Sequence, residues 1–141
     1  MAQTSTYLMF AGNCEDAFTF YKDVFGTEFI TDPIRMSNAP PMEGHPDTSG
    51  AWAGKIMNVA LQITGDHMLM GSDSPEAVEF GNNVFISLHP DTRTEADRLH
   101  AALSDGGEVY SAMTEEFWGD YFGTLKDQFG VQWMINTADK G

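Results

Sequence analysis

One order of elements occurs twice in this chain, and that repeat limits the fold more than any other feature. Thr6–Phe10 reads as a strand. Asn13 then stands at a helix N-cap, with Glu15 and Asp16 suited to the positive end of the helix dipole. Ala17, Phe18, Tyr21, Val24 and Phe25 recur at helical spacing, and Gly26 occupies the expected C-cap. Thr27–Arg35 is rich in β formers. A long irregular stretch, Met36–Gly54, leads to two strands, Lys55–Thr64 and His67–Asp73, joined by the short hairpin link Gly65-Asp66. The second half repeats the order. Asn83–His89 is a strand, and Thr92 and Glu95 form a capping box. A helix follows with Ala96, Leu99, Ala102 and Leu103 on one face, ended by Gly106-Gly107. Three strands come next: Glu108–Thr114, Trp118–Lys126 and Val131–Thr137. The expected fold is therefore α+β, two tandem βαβββ modules. A four-stranded sheet with one helix leaves its second face bare. The halves are thus expected to share one cupped, mostly antiparallel structure with helices outside. That makes one domain over 1–141, with module 1 at about 5–73, a linker at about 74–81 and module 2 at about 82–137.

Alternation within the strands separates two faces. Met57, Val59, Leu61 and Ile63 should pack under a helix, leaving Asn58, Ala60, Gln62 and Thr64 opposite. Val131, Trp133 and Ile135 alternate with Gln132, Met134 and Asn136, and Val84, Ile86 and Leu88 with Asn83, Phe85, Ser87 and His89. A mixed face suits either a small-molecule cavity or plain solvent exposure. Met68, Met70 and Met134 add flexible thioethers, which line apolar pockets and fill ordinary cores alike.

Composition removes several function classes. A hydrophobic content of 42% over 141 residues is enough for a core and excludes disorder. Seven basic against 21 acidic residues give a net charge of −14, unsuited to nucleic-acid phosphate or an anionic membrane surface. A single cysteine, Cys14, excludes an intrachain disulfide and a Cys-rich zinc site. No stretch approaches the ~18 apolar residues of a membrane span, and MAQTSTYLMF lacks signal-peptide character, so a soluble cytoplasmic protein is expected.

Three segments carry a family resemblance. YLMFAGNCEDAFTFYKDVFG, HMLMGSD and FWGDYFGTLKDQFGVQWMIN resemble the PhnB-like branch of the vicinal oxygen chelate superfamily, which includes glyoxalase, bleomycin-resistance and extradiol dioxygenase proteins. The resemblance covers both ends and the centre of the chain. It implies a cupped sheet around a cavity, usually in a homodimer. Metal enzymes of the superfamily place His or Glu on the cavity strands, where a divalent ion polarises a substrate oxygen pair. By count, those positions fall at Thr6, near Leu69, at Asn83, Val84 or Phe85, and at Met134. None is a usual ligand for a divalent cation. The third strand of this branch often carries a histidine, where this chain has Asn58. Some proteins of the branch are labelled ubiquinone-pathway methyltransferases. The chain has no glycine-rich strand-to-helix turn for an adenosyl cofactor, so no methyltransferase activity is expected.

The resulting expectation is a small-molecule binder of the PhnB-like kind without the family's metal or any other cofactor. Its ligand contacts are Thr6, Asn58, Gln62, Met70, Phe85, Trp118, Tyr121 and Met134. Asn58 and Gln62 would orient a polar group, and Met70, Phe85, Trp118 and Met134 would supply apolar contact. The Met36–Gly54 loop would serve as a lid or a dimer contact. Glu115 and Glu116 lie beside Phe117 and Trp118, where a raised pKa would suit an acid or base role. Two alternatives stay open. One is a divalent-metal lyase or dioxygenase with displaced ligands, His67, His89 and Glu115 or Glu116. The other is a sequestration protein of the bleomycin-resistance type, binding a cationic ligand between two subunits.

Overall fold

Helix α1, Cys14–Phe25, forms where the apolar stripe places it, burying Cys14, Ala17, Phe18, Tyr21 and Val24. Gly26 ends it in the left-handed region at φ 65°, its N–H returning to the Lys22 carbonyl. The start of the helix differs from expectation. Asn13 occupies the N-cap position but makes no side-chain cap bond. The buried Asp73 carboxylate does that work instead, accepting from the Gly12 and Cys14 N–H groups at 3.0 and 2.9 Å. An anion at a helix N-terminus satisfies orphan donors whichever part of the chain supplies it.

The computed structural model describes residues 2–38 and 50–141. The chain divides into two compact units, Met1–Val78 and Glu79–Gly141, with the boundary inside the 74–81 stretch. In the first unit, strands β1 (Thr6–Phe10), β2 (Ile34–Arg35), β3 (Ile56–Thr64) and β4 (His67–Asp73) form a sheet in the order β1-β4-β3-β2. The β1–β4 pair is parallel and the others antiparallel. The β-forming stretch Thr27–Arg35 gives only the two-residue β2 and one isolated bridge, Phe29 to Leu61. Val59, Leu61 and Ile63 are buried as expected, but Met57 is 41% exposed and Ile56 is buried in its place. The cause is local. The β2–β3 register shifts at Ile34/Arg35, and the Ile56 N–H turns to the Asp73 carboxylate at 2.8 Å.

Gly71 shows why α1 can lie close to this sheet. A Cβ there would stand 2.6 Å from Phe18 Cε1 and 2.9 Å from the Leu8 carbonyl oxygen. Phe18 in turn meets Phe10 and Tyr21 edge to face.

The second unit has strands β5 (Ile86–Leu88), β6 (Glu108–Glu115), β7 (Tyr121–Lys126) and β8 (Gln132–Thr137), ordered β5-β8-β7-β6, with helix α2 over Arg93–Ser104. Again only the first pair, β5–β8, is parallel. β5 is shorter than Asn83–His89, and Trp118 stands in the β6–β7 turn, outside β7. The capping box at α2 is half made. Thr92 Oγ1 accepts the Glu95 N–H at 3.1 Å, whereas the Glu95 carboxylate pairs with Arg98. Ala96, Leu99, His100 and Leu103 are buried on α2, and Leu125, Trp133 and Ile135 in the sheet. Below them the buried Asp127 carboxylate holds the β7–β8 turn, accepting from Phe129 N, Val131 N and Trp133 Nε1 at 2.8, 3.1 and 2.8 Å. The chain is thus α+β, two tandem βαβββ modules, mostly antiparallel, with a helix flanking each sheet.

Candidate ligand site

Strand register decides which expected ligand contacts share a face. In the first unit Ala60 pairs with Met70 and Gln62 with Met68, and Tyr7 lies beside Met70. Met70 and Gln62, with Asn58 two residues before Ala60, therefore belong to the sheet face away from Val59, Leu61 and Leu69. Thr6 does not join them. It is in register with the fully buried Leu69, on the other face, and its Oγ1 lies 2.9 Å from His67 Nε2. Counting from a motif gives a position along a strand, but the pairing gives the side.

The hairpin end of this sheet opens a cleft of about 930 Å³, lined by Gln3, Thr4, Ser5, Ile30, Gln62, Asp66, His67 and Met68. Gln62 donates to the Gly65 carbonyl, and Ser5 Oγ donates to Met70 Sδ at 3.6 Å. The lining is a mixture of neutral polar groups, two apolar side chains, one carboxylate and one imidazole. Of the expected contacts only Gln62 lines it, and Met70 touches its Ser5 wall. Gln3, Thr4 and Ser5 precede the first strand and carry no periodic signal, so sequence reasoning missed them.

In the second unit a row crosses the face opposite α2. Ser87, Met134 and Thr124 are register neighbours, and Thr124 pairs with Ser111 through a 3.0 Å hydroxyl contact. Phe85 meets Tyr110 edge to face at 6.2 Å, and Tyr110 donates to Gln132 Oε1 at 2.9 Å. Tyr121 sits elsewhere. Its register partner is the buried Thr137, its hydroxyl donates to Asp97 of α2 at 2.7 Å, and Arg93 lies over its ring at 4.6 Å. The Asp97 bond favours the neutral phenol and holds its pKa above the ordinary value. Trp118 is 51% exposed, in edge contact with Phe117 and Phe122. The lid expectation for Met36–Gly54 falls largely on residues 39–49, outside the described residues.

The acid–base expectation for Glu115 meets the opposite electrostatics. Arg93 Nη2 donates to Glu115 Oε1 at 2.7 Å, and that bond lowers the Glu115 pKa. A carboxylate held ionised is a poor proton donor. Cys14 is fully buried, and desolvation, helped by Asp73 and Glu15, pushes its thiol far up, so it carries no thiolate chemistry.

The donor set can be compared with a divalent ion directly. Thr6 and Leu69, at expected ligand positions, present a hydroxyl already engaged by His67 and an alkyl group. Met134 offers only a thioether. His89 Nε2 lies 3.1 Å from Ser87 Oγ, and Glu115 is taken by Arg93. Among the described residues no three His, Cys, Asp or Glu side chains group in a way that could hold a metal ion. These residues do not fit the superfamily's metal.

Comparison with known proteins agrees with the architecture. The family model described as 3-demethylubiquinone-9 3-methyltransferase matches residues 2–136. Protein YjdN of Escherichia coli K12 is 30% identical over 144 aligned residues, covering 95% of this chain and 94% of its own. The crystal structure of protein PA1353 from Pseudomonas aeruginosa superposes with a TM-score of 0.82 at 33% identity, covering 99% of both chains. The PhnB protein of Bacillus cereus shares the fold at 24% identity and a TM-score of 0.77, covering 97% of this chain and all of its own. A glyoxalase/bleomycin resistance/dioxygenase family enzyme from Burkholderia phytofirmans shares it at 18% identity and a TM-score of 0.64, covering 95% of this chain and 96% of its own. No helix among the described residues is long and apolar enough to cross a membrane. The chain belongs to the 3-demethylubiquinone-9 3-methyltransferase family, and it shares its fold with a PhnB protein and with a glyoxalase/bleomycin resistance/dioxygenase family enzyme.

Proposed function

We propose that this chain binds a neutral, polar small molecule in the first-unit cleft, without a divalent metal and without methyl transfer. The observation that carries this is the cleft itself. Its ≈ 930 Å³ lies within the range of small-molecule sites, and its lining pairs apolar Ile30 and Met68 with the polar side chains of Gln3, Thr4, Ser5 and Gln62. No lysine or arginine is among the described residues that line it, so a phosphate or carboxylate ligand would meet Asp66 and a chain of net charge −14 with no lysine or arginine counter-charge there. The donor set described above supports the metal-free part of the reading, since ligand orientation would rest on amide and hydroxyl groups.

The test is a thermal-shift screen of neutral polyols, amides and lactones on chelator-treated protein, beside elemental analysis of the untreated protein. A true ligand at a hundred times its Kd stabilises by about 2.7 kcal/mol. For a chain of this length that is a rise in Tm of roughly 8 °C. The shift should disappear in Gln62→Ala and His67→Ala. Stabilisation seen only after a divalent metal is restored, or unchanged by both substitutions, would overturn the reading.

A further inference from the structure

The β6–β7 turn exposes an unusual amount of aromatic surface. Phe117 is 97% exposed and Trp118 51%. Their rings meet at 89° with centroids 5.1 Å apart, and Phe122 stands 5.9 Å from Trp118 at 68°. Three rings in sequence, each nearly perpendicular to the next, form two corners walled by π faces. Such faces are negative and attract cations, most strongly a poorly hydrated organic cation.

The charges around the corner have the matching sign. Glu116 closes the turn through its backbone, donating to the Asp120 carbonyl at 2.8 Å and accepting from the Gly119 N–H at 2.9 Å, while its carboxylate pairs with no described residue. Asp120 accepts from Asn136 through one carboxylate oxygen at 3.0 Å. Glu115 is engaged by Arg93. A cation of the chain itself already lies at the turn, for Lys140 Nζ donates to the Gly119 carbonyl at 2.6 Å. The turn thus already seats one ammonium on its backbone.

We propose that Phe117, Trp118 and Phe122, with Glu116 and Asp120 at the rim, bind a quaternary or methylated ammonium group of a small organic cation. A second copy of the chain is the competing occupant for exposed aromatic surface. Two like-charged acidic rims would repel each other, so the charge favours the cation. This site is separate from the first-unit cleft, and neither reading depends on the other.

The probe is choline, followed by Trp fluorescence and by NMR of the indole N–H groups. Its neutral isostere 3,3-dimethylbutan-1-ol is the control. Choline is expected to shift the Trp118 signal saturably, with the isostere at least tenfold weaker and with binding weakened by added salt. Phe117→Ala, at a nearly fully exposed position where folding is not at risk, should weaken choline at least fivefold, and Glu116→Gln by a smaller factor. Equal binding of choline and isostere would overturn the proposal by showing plain apolar contact. So would choline binding unaffected by Phe117→Ala, or no choline binding at all; a Phe117→Ala change in sedimentation would then assign the patch to self-association.

Discussion

Asp127 is the residue whose replacement tests the second unit most sharply. Its Oδ1 serves the Phe129 and Val131 N–H groups and its Oδ2 serves Trp133 Nε1, all beneath a fully buried indole. Asp127→Asn keeps the shape but has only one acceptor oxygen. If that oxygen keeps the two backbone donors, the new NH2 faces the indole N–H, donor against donor. An unsatisfied buried donor costs about 1–3 kcal/mol, and the two retained bonds weaken on losing the charge. The sum is about 2–4 kcal/mol. At roughly 3 °C per kcal/mol for a chain of this size, Tm should fall by roughly 6–12 °C. Trp133→Phe removes the opposing donor. In that background Asp127→Asn should cost about 1–2 kcal/mol less, a coupling of the size measured between contacting groups. Urea unfolding followed by circular dichroism on the four proteins of the cycle measures both. An Asp127→Asn cost below about 0.5 kcal/mol, or no coupling within about 0.3–0.5 kcal/mol, would refute the assignment of this carboxylate as the anchor of the turn.

Further substitutions probe other contacts. Cys14 should resist a thiol reagent at pH 8 in the native protein and react at once in denaturant. Its raised pKa keeps the proton in the folded state after the unfolded thiol ionises near ~8.5. Stability is therefore complete below that pH and falls above it by up to about 1.4 kcal/mol per pH unit, a slope that Cys14→Ala should flatten in pH-dependent urea melts. Gly71→Ala drives a methyl into Phe18 and the Leu8 carbonyl, and should cost about 1–3 kcal/mol by the same melts, with relief in Phe18→Leu. Arg93→Ala loses the Nε bond to the Asp139 carbonyl, the pair with Glu115 and the stacking on Tyr121, and keeps only the backbone N–H bond to the Asp139 carboxylate, so hydrogen exchange of residues 138–141 should accelerate with little change at α1. The Glu115 carboxyl should titrate upward in the same variant, seen by NMR. The lowered native pKa means that the Glu115–Arg93 contribution is present above pH ~4.3 and is lost as pH falls through the native value.

The fold was readable because its signals are local and periodic. Helical spacing placed α1 and α2, left-handed glycine marked the end of α1, and alternation found β3 and β8. Three features escaped for physical reasons. Asp73 caps α1 from about sixty residues away, and no local pattern announces such a partner. Met57 follows the apolar alternation yet lies exposed, because a register shift at the sheet edge changes which side each residue faces. Thr6 comes from counting and Tyr121 from its place in the last hairpin, while face is decided by pairing: Thr6 follows Leu69, and Tyr121 turns to Asp97 and Arg93. Of the cleft lining, Gln62 is legible as the polar member of an apolar strand. Gln3, Thr4 and Ser5 were not, since a wall built from the segment before β1 follows no period. The aromatic turn was visible as FW, but its exposure depends on what packs beside it.

The reach of Asp73 also bears on how the chain is made. One carboxylate closes the start of α1 and the start of β3 together. During synthesis the helix emerges long before its cap. Until residue 73 has left the ribosome, the first turn of α1 lacks the acceptor that completes it, and β1 lacks its parallel neighbour β4. The nascent first unit therefore has no finished substructure to settle into, and its ordering is deferred to a single late event. Nascent chains released just before and just after that point should differ abruptly in protease resistance rather than gaining it residue by residue.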